Sequence, residues 1–326
     1  MKDDDKKWVV SFSSCPVVLT FLLSLVRPTH PITFALAFAR KMFVSWDVLL
    51  VSTVVLAIIY ETQSWFRYYF RFTLYISVVM LTSVFLIPVA IFRPGNVHNT
   101  VIVAYFLGPL LNALLGMKVH LRNPENFVND GSIICANHQS CLDFLGMITH
   151  WPTMERCAAI AKKEVNYIGP FGFVAGLCGT IFIRRNKSHD SHSTMNEAAE
   201  QVKQKKLKLW IFPEGTRSGG REMLPFKKGA FYIAINSQLP ITPVVYSYYY
   251  FLDHKQKRFD PGEIIMTVLP PVSTKGMTIE QLPELMEKVR SAMMVVYRTS
   301  SDEIYNANNA QPSSKSLTRR LKTSAH

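Results

Sequence analysis

Between Arg71 and Arg93 the chain runs for 21 residues, Phe72 to Phe92, without one charged side chain. A helix rising about 1.5 Å per residue needs about 20 such residues to cross a hydrocarbon core of about 30 Å. Extended or irregular backbone in lipid would leave its N–H and C=O groups without partners, so the run predicts a membrane-spanning helix. Pro88 falls near one end of it, where a kink is tolerated.

Other runs share this character. Trp8 to Val26 offers 19 uncharged residues between Lys7 and Arg27. It reads as a span or as a signal peptide, although Asp3, Asp4 and Asp5 are foreign to a signal's basic start. Residues 42–60 make a third candidate, interrupted by Asp47. Residues 94–117 hold no acidic residue, but His98, Asn99, Gly108, Pro109 and Asn112 suit an interfacial or a membrane-embedded helix equally. A mean hydropathy of +0.12 fits a chain partly in lipid. Lysine and arginine outnumber acidic residues 36 to 23, which favours anionic partners such as lipid headgroups or phosphorylated substrates. Nucleic acid is set aside, because the basic residues are scattered among apolar runs with neither zinc-finger spacing nor heptads behind a basic region. The five cysteines, irregularly spaced, argue against a disulfide framework.

From Lys118 the pattern changes to short apolar runs alternating with amphipathic helices. Residues 132–136, 180–183, 207–212, 241–246 and 263–269 read as strands, with a helix expected from about Gln139. Thr194 with Glu197, and Thr278 with Gln281, have capping-box spacing. The second box opens a helix with Leu282, Leu285, Val289, Met293 and Val296 on one face. Strands alternating with helices predict an α/β fold: a layered, largely parallel sheet with flanking helices, preceded by transmembrane helices. The chain thus divides into an N-terminal membrane region (1–117), an α/β domain (118–305) and a basic tail (306–326) expected to be disordered.

Three polar segments follow predicted strands, where α/β proteins place their working groups. In the first, His138 precedes Asp143 by five residues. Histidine takes and returns a proton near neutral pH, and a neighbouring carboxylate fixes its tautomer. On one continuous helix the two side chains would stand roughly 140° apart. They meet only if His138 lies in the loop and Asp143 in the helix that follows. Alone, the spacing equally suits a polar strand–helix junction. The second segment is Glu214-Gly215-Thr216-Arg217, with Lys227 and Lys228 downstream: a glycine that permits a tight backbone beside cations suited to phosphate. The third is a strand ending in Arg184 and Arg185. Solvated turns and surface charge are the plainer accounts of the last two.

Five blocks, NHQSCLDFLGM, GTIFIRR, LWIFPEGTRS, MLPFKKGAF and LPITPVV, stand in order within residues 65–300. By these the chain resembles the glycerolipid acyltransferases, and among them the 1-acylglycerol-3-phosphate acyltransferases. The resemblance implies His138 as general base and Asp143 as its orienting partner. It implies Glu214, Gly215, Thr216, Arg217 and Arg185 at the phosphate-bearing acceptor, with Lys227 or Lys228 assisting. Arg184 departs from it, standing where many members carry an acidic or amide residue. The implied reaction acylates lysophosphatidic acid at sn-2 from acyl-CoA, with no cofactor and no metal, at the endoplasmic reticulum membrane as a multi-pass protein. Glycerol-3-phosphate and other lysophospholipids are the alternative acceptors. Three rivals remain on the residues alone: a hydrolase using Ser140 or Cys141, a metal site from Cys135, His138 and Cys141, and a lipid-binding protein without turnover.

Overall fold

A computed structural model describes residues 31–183, 199–200 and 202–310, with the backbone course alone for 31–45 and 308–310. The candidate span at 8–26, the Thr194 capping box, Arg184 and Arg185 lie outside the described residues, as does the tail from 311.

The described chain forms two units that part between Gln63 and Ser64. The first contains helix α1 (Pro31–Thr62), which takes in the candidate span at 42–60. Its Leu49, Val51, Leu56 and Ile58 are all exposed. The second unit begins with α2 (Ser64–Ala90) and α3 (His98–Leu115), which among the described residues are the two helices long and apolar enough to cross a membrane. These two helices, expected within the membrane region 1–117, fall in the same unit as the sheet. The reason is packing: Tyr68, Tyr75 and Val79 of α2, and Leu107, Leu111 and Leu115 of α3, share one core with the sheet residues Ile134, Tyr246 and Met266. Arg71 is buried rather than flanking; it donates to the carbonyl of Leu115 and sits 4.6 Å from the Phe259 ring centroid. A cation there offsets the negative end of α3. On its other side α2 exposes Ile76, Leu81, Val84 and Phe85.

The sheet has seven strands: β1 (Met117–Arg122), β2 (Ser132–Ala136), β3 (Cys157–Lys162), β4 (Ile181–Ile183), β5 (Lys208–Ile211), β6 (Ile241–Tyr246) and β9 (Gly262–Val268). Their spatial order is β1-β9-β6-β2-β5-β3-β4. Every neighbouring pair is parallel except β6 with β9. The two strands β7 (Leu252–Asp253) and β8 (Arg258–Phe259) form a separate hairpin.

Central β2 is buried along its whole length, as strands covered on both faces are. Its residues alternate between two cores. Ile134 and Ala136 face α2, α3 and α4 (Asp143–Thr149), while Ile133 and Cys135 face α7 (Gly229–Ser237) and α8 (Leu282–Ala310). Between α4 and α7 lie the short α5 (Trp151–Met154) and α6 (Gly169–Leu177). The capping box Thr278–Gln281 is present and opens a 3-10 turn leading into α8. Leu282, Leu285, Val289 and Met293 are buried along the expected face. The helix continues to Ala310, so residues 306–310, expected in the tail, extend it instead.

Candidate active site

Strands β2 and β5 are parallel neighbours, with Cys135 opposite Ile211. Their carboxyl ends therefore release two loops side by side, one carrying His138 and the other Glu214 to Ser218. On the far side of β2, Asn137 ties its loop to β6: its side-chain amide donates to Tyr246 O (3.0 Å) and its Oδ1 accepts Tyr246 N–H (2.8 Å). Gln139 adds a bond from Nε2 to Ser247 O at 2.9 Å.

His138 and Asp143 do meet. Nδ1 lies 2.6 Å from Asp143 Oδ2, with the histidine loop-borne and the aspartate first in α4. The helix expected from Gln139 starts at Asp143 because this carboxylate reaches back over the intervening loop. It accepts the backbone N–H of Gln139 (2.7 Å) and of Ser140 (3.1 Å). These two N–H groups, which a helix beginning at Gln139 would offer to a developing oxyanion, are thereby committed to Asp143. An ionised carboxylate only accepts, so Nδ1 carries the hydrogen and Nε2 keeps its lone pair. The imidazole stacks on Phe212, ring centroids 4.2 Å apart and planes 19° from parallel. Asp143 is fully buried, whereas the histidine side chain keeps 20% of its exposure.

Glu214 is buried, and both carboxylate oxygens are engaged. Oε1 accepts the His138 N–H at 2.7 Å and Oε2 accepts the Leu224 N–H at 2.8 Å. Burial holds its carboxyl above the usual glutamate range, although the two N–H bonds pull the other way. Glu214 thus braces the loop. Gly215 has φ +69°, and a Cβ there would meet the side chain of Lys227 at 2.9 Å. Lys227 is brought against the turn by its own N–H, which donates to Pro213 O at 2.8 Å. Thr216 and Arg217 are exposed. Lys228 is exposed at the start of α7 and lines no part of the cavity beside His138.

That cavity, about 440 Å³, is walled by α2, α3, α4 and α6, with Val79, Leu107, Phe144 and Phe171 among its apolar lining. His138, Asp143 and Arg217 also line it, and Tyr75 of α2 donates to Cys141 O at 3.0 Å. Asn137, Gln139, Phe212 and Tyr75 escaped the sequence reading. Asn137 and Gln139 flank the histidine in a buried turn, a signal that was visible; Tyr75 carried none.

The rival readings fare poorly. Burial pushes the Cys141 thiol up, away from the nucleophilic thiolate. Ser140 is buried, and its Oγ accepts Leu142 N–H at 3.3 Å. Cys135 belongs to the opposite core, its thiol pushed up to about 12 by burial.

A mixed α/β sheet with this loop pair at its carboxyl edge is the fold of an acyltransferase. The acyltransferase family model matches residues 118–247. The crystal structure of the 1-acyl-sn-glycerophosphate (LPA) acyltransferase PlsC from Thermotoga maritima shares the fold, with a TM-score of 0.56 and 24% identity over 72% of this chain and 95% of that one. Human 1-acyl-sn-glycerol-3-phosphate acyltransferase alpha is 38% identical over 73% of this chain and 83% of its own length. The human beta enzyme is 33% identical over 77% of this chain and 91% of its own. The 1-acyl-sn-glycerol-3-phosphate acyltransferase of Saccharomyces cerevisiae is 39% identical over 57% and 61%. The chain belongs to the 1-acyl-sn-glycerol-3-phosphate acyltransferase family.

Proposed function

We propose that the chain moves an acyl group from acyl-CoA to the sn-2 hydroxyl of lysophosphatidic acid, forming phosphatidic acid and releasing CoA. The observation that carries this reading is the His138–Asp143 pair at 2.6 Å on the wall of an apolar cavity that also holds Arg217. The names of the human and yeast relatives supply the acceptor.

His138 Nε2 takes the proton of the acceptor hydroxyl as its oxygen attacks the thioester carbonyl carbon. Asp143 stabilises the imidazolium that forms. The tetrahedral intermediate collapses with cleavage of the carbon–sulfur bond, and the imidazolium returns its proton to the departing thiolate. Arg217 anchors the acceptor phosphate with its forked donors; it carries no carboxylate partner among the described residues. Arg185 and Lys227 are its proposed helpers. The cavity accommodates hydrocarbon, each buried methylene contributing about 0.8 kcal/mol to binding. Holding both substrates in one site offsets on the order of 7 to 11 kcal/mol of the barrier in favourable cases.

Location at the endoplasmic reticulum, with more than one membrane pass, belongs to the same proposal. The exposed apolar faces of α2 and α3 support a membrane setting. The reaction is tested by giving membranes that contain the chain labelled palmitoyl-CoA and one acceptor at a time. Lysophosphatidic acid should yield phosphatidic acid, while lysophosphatidylcholine and glycerol-3-phosphate should yield little. Equal labelling of lysophosphatidylcholine would refute the phosphate-anchored acceptor.

A further inference from the structure

Tyr297 lies on α8, one helical step beyond Met293 on the buried face, and is itself 2% exposed. Its ring completes the core stripe and its hydroxyl emerges between the two loops of the site. The hydroxyl donates to Gly220 O at 2.8 Å and lies 3.4 Å from Gln139 Oε1. Gln139 follows His138 directly. Gly220 lies two residues beyond Ser218, whose N–H and Oγ both donate to His138 O, at 2.8 and 3.2 Å. The hydroxyl has one hydrogen, given to Gly220 O, so its approach to Gln139 is a close contact; counting that contact, a circuit runs from His138 through Gln139, Tyr297, Gly220 and Ser218 back to His138.

The segment this circuit holds has little stiffness of its own. Gly219 adopts φ +59°, and a Cβ there would touch nothing within 4 Å. Adjacent glycines impose few steric limits, so external contacts must set the path. Helix α8 supplies them at neighbouring points: Arg290 Nη2 donates to Met223 O at 2.9 Å, and Arg298 pairs with Glu222 at 3.5 Å. Arg217 rides at the start of the same segment.

We propose that Tyr297 is a positioning residue that sets the reach between Arg217 and His138, and so the fit of the acceptor. This rests on the reading of Arg217 as phosphate anchor. Tyr297→Phe keeps the ring and deletes the hydroxyl. Losing one buried hydrogen bond should raise the KM for lysophosphatidic acid about three- to tenfold. The KM for acyl-CoA should stay close to that of the unaltered chain, and the thermal midpoint should fall by no more than the loss of that one bond explains.

The test is a double-mutant cycle with Arg217→Ala on the purified full chain, measuring both KM values, kcat and thermal midpoint. If Tyr297 acts through Arg217, its substitution adds little once Arg217 is gone. Additive effects, or equal shifts in both KM values with a lowered midpoint, would mean a structural role only and overturn the proposal. Should Tyr297→Phe fail to fold, Arg290→Gln takes its place in the cycle, since it removes a pin from the same segment; the same outcomes decide. If Arg217→Ala alone leaves the acceptor KM unchanged, the anchor reading fails and this proposal falls with it. A normal acceptor KM in Tyr297→Phe beside a raised one in Arg217→Ala would sink the positioning role alone.

Discussion

Glu214 shows how a buried carboxylate can hold two parts of a site together. Each of its oxygens accepts one backbone N–H, from His138 and from Leu224, residues 76 and 10 positions away. Glu214→Gln keeps the shape but sets an amide donor against one of those N–H groups. A buried donor left without its acceptor costs about 1–3 kcal/mol, so stability at pH 7 should fall by that order, and kcat with it, as read by thermal unfolding and turnover. The pH dependence has a definite sign. Burial raises the Glu214 pKa on folding, so this group's contribution to stability is fully present below the unfolded value and is lost as pH rises through the raised one. Acidifying from pH 7 toward about 4.3, the ordinary glutamate value, should therefore shift the stability difference in favour of the unaltered chain. A shift the other way would show that the two N–H bonds outweigh desolvation. The motif containing Glu214 was legible in sequence, but its bracing role was not. His138 lies on another loop and Leu224 ten residues further along Glu214's own, and no local pattern records a carboxylate facing both amides. The spacing of His138 and Asp143 left a polar junction open and the family resemblance supplied their roles; the two side chains meet because the helix begins at Asp143.

Among the elements, α4 matters most, since it begins with Asp143. Its Gly146 packs on β6 so closely that a Cβ would stand 2.5 Å from Tyr246 Cε1. Tyr246 is fully buried and cannot swing aside. Gly146→Ala should cost about 1–3 kcal/mol, visible as a lowered thermal midpoint, and should reduce turnover by displacing Asp143. An unchanged midpoint and rate would show that α4 yields freely. Element type followed sequence where burial was complete: SIICA became β2 residue for residue, and the apolar face of α8 packs as its spacing predicted. Two strands of the seven-stranded sheet escaped, as did the short hairpin β7–β8. In β1 (MKVHLR), charged residues alternate with apolar ones along a sheet edge, where Glu263 meets both Lys118 and His120. In β3 (CAAIAK), alanines have little strand preference, and pairing with β5 and β4 overrides it. The start of α4 differs from the expected one because Asp143 reaches three and four residues back to cap the loop before it, in place of a serine or threonine at the N-cap.

For the whole molecule, the sequence signalled membrane helices, but not that α2 and α3 would share their core with the α/β sheet. Their residues are apolar on every side, so hydropathy could not separate a face turned to protein from one turned to lipid. In the structure α2 buries Tyr68, Tyr75 and Val79 while exposing Leu81, Val84 and Phe85. A chain with that outer surface should remain in the membrane pellet after alkaline carbonate extraction; release into the supernatant would contradict a lipid setting. In the proposed membrane setting the cavity lies among helices that would face lipid, which suits an acceptor arriving from the leaflet. The central claim is that His138, oriented by Asp143, performs acyl transfer in that setting. It is tested most directly by phosphatidic acid formation from labelled acyl-CoA and lysophosphatidic acid, comparing the unaltered chain with His138→Ala at equal abundance in membranes. The account predicts robust product from the first and a loss of at least about 100-fold in the second. Undiminished product from His138→Ala would contradict it.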